Sequence, residues 1–119
     1  MKADIIFEEQ RKPQPLTFEQ LQMINVLRCN EGFGKDLSDW STAQWACAAA
    51  GEMGELCNLI KKEFRGDQIT NINAEIGKEI ADVVIYLDLL ATSRGLNLGD
   101  LVREKFNEVS RRVNSKRLL

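Results

Sequence analysis

The segment Ser41–Phe64, STAQWACAAAGEMGELCNLIKKEF, decides the fold. Ser41 and Gln44 stand three apart as a capping box, a hydroxyl and a carboxamide that satisfy the free amides of a helix start. No proline interrupts the run to Phe64, and Gly66 sits just beyond the end as a stop. Lys61, Lys62 and Arg65 occupy the last turns, where cations suit the helix dipole. Within this helix Gly51 and Gly54, and later Gly77, each cost about 1 kcal/mol relative to alanine. Close helix approach or room for a ligand would justify them, with packing the expected reason.

Working outward, the polar stretch 66–72 reads as a loop, and Asn73 is placed to cap a third helix running to Arg94, with Gly95 as its stop. Ile76, Ile80, Val83, Leu87 and Leu90 recur by fours and threes, a heptad seam. Upstream, Thr17 and Gln20 open a first helix with Leu21, Ile24 and Leu27 as its apolar stripe, fraying near 30–34. Downstream, Asn97 and Asp100 open a fourth, carrying Leu98, Leu101, Val102, Phe106, Val109 and Val113. Pro13 and Pro15 set residues 1–16 apart as an N-terminal arm, leaving 17–119 as the domain. The pattern holds no strand pair and no internal repeat. It predicts an all-α, four-helix bundle-like subunit.

Composition excludes several function classes. The 119 residues fit one domain, and 44% hydrophobic with 29% charged residues is a globular balance. Sixteen Lys+Arg against eighteen Asp+Glu make the chain mildly acidic, so no nucleic-acid polymer is expected as partner. No apolar run approaches the ~18 residues of a membrane span, and the polar start is no signal peptide, which predicts a cytoplasmic protein without membrane association. Histidine is absent. That removes Ser-His-Asp and Cys-His catalysis, and any metal must be held by oxygen or sulfur. Cys29, Cys47 and Cys57 form no C-x-x-C pair and are expected as reduced, mostly buried thiols.

The chemistry lies in two pairs of carboxylates. Glu52 and Glu55 share one face of the second helix, and Glu79 and Asp82 share one face of the third. Glu75, Glu79, Asp82 and Tyr86 form a single line beside the heptad seam. At three and four residues on either side, Glu52, Glu55 and Glu79 have no lysine or arginine, and Asp82 has only Lys78. Two unit charges about 4 Å apart at an effective dielectric of about 20 repel by roughly 4 kcal/mol. Such a cluster must take up protons, pair with cations or bind a metal. All-oxygen ligation selects a hard divalent cation, Mg²⁺ first and Mn²⁺ as a substitute, and Mg²⁺ favours phosphate oxygens. A solvated acidic face is the competing explanation.

Glu-x-x-Glu, 23 intervening residues and Glu-x-x-Asp, followed by Tyr86 and Lys105-Phe106, resembles the motif of the all-α nucleoside triphosphate pyrophosphatases, the MazG-like superfamily. The resemblance runs from about Trp40 to Arg112. It implies hydrolysis of an NTP or dNTP at the α-phosphorus to the monophosphate and pyrophosphate, with Mg²⁺ held by Glu52, Glu55, Glu79 and Asp82. Glu55, or else Glu52, would orient or deprotonate the attacking water. Lys105 and Arg112, seven apart on one helix face, would meet the pyrophosphate, with Lys62 a weaker candidate. Trp40 and Tyr86 are candidates to stack on base or sugar, whereas Trp45 is expected in the core. Many relatives carry Asn four residues after the lysine; Val109 stands there, and Asn107 lies roughly 160° away around the helix.

The resemblance also implies a homodimer or tetramer. Val84, Ile85 and Leu89 agree with this, since they add apolar surface beyond the seam that one small bundle does not cover. Two further possibilities remain at this level. One is a related pyrophosphohydrolase with another substrate, such as phosphoribosyl-ATP. The other is a non-catalytic helical oligomerisation or interaction module with a structural Mg²⁺ site.

Overall fold

The computed structural model describes residues 14–119, and the arm up to residue 13 lies outside the described residues. The described chain is all-helical: α1 (Phe18–Phe33), a short 3-10 turn (Leu37–Asp39), α2 (Thr42–Phe64), α3 (Ile72–Ser93) and α4 (Leu98–Arg112). Among the described residues, no helix is long and apolar enough to cross a membrane.

The caps explain the boundaries. At α2 both halves of the box form, Gln44 N donating to Ser41 Oγ at 3.2 Å and Ser41 N to Gln44 Oε1 at 2.8 Å. Thr17 and Asn97 each accept one amide, from Gln20 and Asp100, both at 3.0 Å. Helix α1 runs through the expected fraying region and stops at Gly34, whose φ of 62° is a left-handed cap that side chains resist. The start of α3 differs from the sequence expectation. Asn71, rather than Asn73, closes the turn with φ 54°, because asparagine tolerates the left-handed region, and its carbonyl accepts from Ala74 and Glu75.

Helix α3 is the hub. Helix α2 packs along it as an antiparallel hairpin, and α1 and α4 pack on it from other sides. The backbones of α1 and α4 make no contact with α2, so one chain does not close into a four-helix bundle. Instead α2 reaches α1 through Trp45, which is 2% exposed and clusters with Cys29 and Leu89. Its indole N–H donates to the Leu37 carbonyl at 3.0 Å, which anchors the 3-10 turn as well. Trp45→Ala should therefore cost about 3–5 kcal/mol, read as a lower urea midpoint.

Three sequence expectations about burial change. The apolar stripe of α1 does not face inward: Ile24 and Leu27 are exposed, and Asn25 and Cys29 are buried in their place. The cause is polar, since the Asn25 side chain is held by α3 and rotates the helix to follow it. The seam of α3 is only partly covered, with Ile80 and Leu87 exposed and Ile76, Val83 and Leu90 half-buried. Of the residues expected to add uncovered surface beyond it, Val84 is exposed and Ile85 half-buried, but Leu89 is buried in the core with Cys29 and Trp45. Of the cysteines only Cys29 is buried; Cys47 and Cys57 lie at the surface. Nor does packing among the described residues account for Gly51, Gly54 or Gly77, because a Cβ there would meet none of their atoms within 4 Å.

Candidate functional site

The hairpin register builds the site. Positions equidistant from Asp67 meet across α2 and α3: Glu55 with Glu79, Glu52 with Asp82, and Trp45 with Leu89. Carboxylate oxygens of Glu52, Glu55 and Glu79 all lie within 4.8 Å of one another. Asp82 stands outside this trio but acts electrostatically on both Glu52 and Glu79. Lys78 pairs with Glu75 at 3.0 Å, which removes Glu75 from the acidic line. Among the described residues, none of Glu52, Glu55, Glu79 and Asp82 forms an ion pair.

The cluster is frustrated as it stands. Desolvation, then the charge of Glu55, pushes the carboxyl groups of Glu52 and Glu79 above their ordinary value. Glu79 Oε2 is sealed from solvent and accepts no hydrogen bond among the described residues. A buried, partnerless oxygen beside two like charges is the arrangement that a hard cation relieves, and the all-oxygen donor set suits Mg²⁺.

Beside the carboxylates opens a cavity of about 470 Å³. Glu52 and Asp82 border it, and Phe33, Trp40, Trp45 and Tyr86 supply aromatic walls, within the size range of small-molecule sites. Trp40 and Trp45 have ring centroids 4.6 Å apart, and Tyr86 lies 6.5 Å from Trp45. Lys35 Nζ sits 5.2 Å from the Trp40 ring centroid, a flexible cation covering that ring. Trp40 is thus positioned by Trp45 and the 3-10 turn, as Tyr86 is by the acidic line of α3.

The cationic candidates are placed elsewhere. Lys105 is exposed, bonded to Glu108 at 3.0 Å, and borders an apolar groove along α4 with Val109 and Phe106. Arg112 is exposed at the end of the same helix, which α2 does not touch. One chain therefore does not bring Lys105 and Arg112 to the carboxylates through α2. Asn107 is engaged as well, bonding the Leu119 backbone at 2.8 and 3.2 Å. Lys62 is exposed two turns past Glu55, near Asp67.

Sequence reading missed the α1 side of the cavity. Asn25, Cys29 and Phe33 stand at i, i+4 and i+8, and all three border it together with Arg28. The spacing was visible, but polar Asn25 was outweighed by the more hydrophobic Ile24 and Leu27. Comparison of the chain with protein-family models, curated proteins and solved structures returns no match.

Proposed function

We propose that the chain is a Mg²⁺-dependent nucleotide pyrophosphohydrolase, cleaving an NTP or dNTP at the α-phosphorus to the monophosphate and pyrophosphate. The observation that carries this is a carboxylate cluster without ion pairs among the described residues, whose Glu52 borders an aromatic cavity together with Asp82, since a nucleotide joins an anionic, metal-seeking part to a planar one. The resemblance of the two carboxylate pairs to the MazG-like superfamily points the same way.

Glu52, Glu55 and Glu79 would hold the cation, with Asp82 at the cavity side. Bound there, Mg²⁺ supplies positive charge at the phosphate oxygens. Glu55, the exposed member of the trio, is free to accept a proton from the attacking water. Trp40 and Tyr86 orient the base and sugar, with Lys35 displaced from the Trp40 ring. Lys105 and Arg112 serve the leaving pyrophosphate from a neighbouring subunit, because within the chain Lys105 borders a groove that shares no residue with the aromatic cavity. The same oligomer, a homodimer or tetramer, covers the exposed apolar residues of α3.

Products discriminate the chemistry. Attack at the α-phosphorus yields monophosphate and pyrophosphate in equal amounts, whereas attack at the γ-phosphorus yields diphosphate and orthophosphate. The first pattern is expected from a panel of NTPs and dNTPs with Mg²⁺, and none with EDTA. Diphosphate on chromatography, or undiminished turnover in EDTA, would overturn the assignment.

A further inference from the structure

Among the described residues, Asn25 is the one neutral side-chain amide on the cavity wall, and it is 4% exposed. Its Nδ2 donates to the Ile85 carbonyl at 3.0 Å and to Asp88 Oδ2 at 2.9 Å. A carboxamide nitrogen carries two hydrogens, so both are spent. A peptide carbonyl can only accept, which fixes the amide's orientation against a flip. Asn25 Oδ1 accepts nothing among the described residues. The group that Asn25 has left to offer is an acceptor.

The other polar groups around it narrow the choice. Trp45 Nε1 is spent on Leu37, so it reads nothing in the cavity. One turn along α1, burial raises the Cys29 thiol, which stays protonated and is a weak donor. Asn25 and Cys29 thus present an acceptor followed by a donor on one helix face. An exocyclic amine next to a bare ring nitrogen, as in cytosine and adenine, complements that order. A keto oxygen next to a ring N–H, as in uracil and hypoxanthine, reverses it and sets lone pair against lone pair.

We propose that Asn25, locked by Asp88 and the Ile85 carbonyl, is a specificity-determining residue, and that the cavity takes amino-bearing nucleobases in preference to their keto counterparts. This rests on the nucleotide reading above but not on hydrolysis.

The test uses the full chain and two pairs of monophosphates that differ only at that position: dCMP with dUMP, and AMP with IMP. Calorimetry and quenching of the Trp40 and Trp45 fluorescence report binding without turnover. The amino member of at least one pair should bind about tenfold more tightly than its keto partner, the scale of a hydrogen bond lost with its acceptor left unpaired. Asn25→Ala should reduce that ratio to about twofold or less while retaining binding. Should Asn25→Ala fail to fold, the Asn25 side-chain NH₂ resonances of the wild-type chain decide. They should shift with the amino ligand and not with the keto one. Equal binding within both pairs, a preference for keto bases, or an unchanged ratio in Asn25→Ala overturns the proposal. Selective binding without triphosphate turnover would instead sink the hydrolase assignment alone. Turnover without base selectivity would sink only the role of Asn25, and no binding of any nucleotide would sink both.

Discussion

Glu52→Gln and Glu79→Gln should each lower turnover by at least about 100-fold and, in the absence of metal, raise the melting temperature. Both effects have one cause. The oxygens of Glu52, Glu55 and Glu79 are gathered within 4.8 Å with no cationic partner among the described residues. An amide keeps the shape but removes a charge that the fold must desolvate, so stability rises as function falls. Loss of a group that positions the reacting phosphate or its water typically removes two or more orders of magnitude. Falling activity with a falling melting temperature would assign these residues a structural role.

The pH dependence carries the same signature. Glu52 and Glu79 have folded-state values raised above the ordinary 4.5, by desolvation first and the Glu55 charge second. The folded state therefore binds more protons than the unfolded chain, and stability falls as pH rises from about 4.5 through the raised values. Asp67 has the opposite sign: its bond to Arg65 lowers it from 3.8, so its contribution is lost only as pH falls below that range. Subtracting the melting curve of Glu52→Gln from that of wild type in EDTA isolates the destabilising component. Saturating Mg²⁺ should abolish it. At ten times its dissociation constant, the cation adds about 1.4 kcal/mol.

The carboxylate trio was legible in the sequence because its evidence is local. Residue type, helical spacing and missing cations at three and four positions can all be counted along the chain. The antiparallel register was equally available, since Glu55 and Glu79 stand at equal distances from Asp67. What local counting did not supply was the inward face of α1. Hydropathy ranks Ile24 above Asn25, yet the Ile85 carbonyl and Asp88 draw Asn25 in from more than fifty residues away. The 3-10 turn escaped for another reason: Asp39 Oδ2 accepts from Asp36 N at 2.8 Å, a capping box in a stretch too short to show periodicity. Within one chain the expected bundle also stays open, because amphipathicity says that a face will be covered but not by which chain.

That open face supports the second large effect. Ile80, Val84 and Leu87 stand at i, i+4 and i+7 on α3, all exposed, roughly 150° around the helix from the inward Ile85–Leu89 side. On α2, Met53, Ile60 and Phe64 line up in the same way. A stable interface needs roughly 1,200–2,000 Å² of buried surface, which two such helices and their copies can supply. The wild-type chain should scatter light as twice 13.5 kDa or more, and Leu87→Glu should shift it toward 13.5 kDa with most activity lost. A surface leucine in a true monomer would tolerate that change within about 0.5 kcal/mol.

Subunit exchange makes the strongest form of this expectation. If Lys105 serves the carboxylates of a neighbouring copy, Lys105→Ala and Glu79→Gln are each inactive alone yet complement when mixed. In a dimer assembled at random from equal amounts, half the molecules are mixed and each holds one intact site of two. Recovery to about a quarter of wild-type turnover is the consequence of the interface symmetry. A site complete within one chain allows no recovery, because every site in the mixture would then carry one of the two substitutions. An active species at 13.5 kDa would remove the shared-site arrangement and leave the carboxylate chemistry standing by itself.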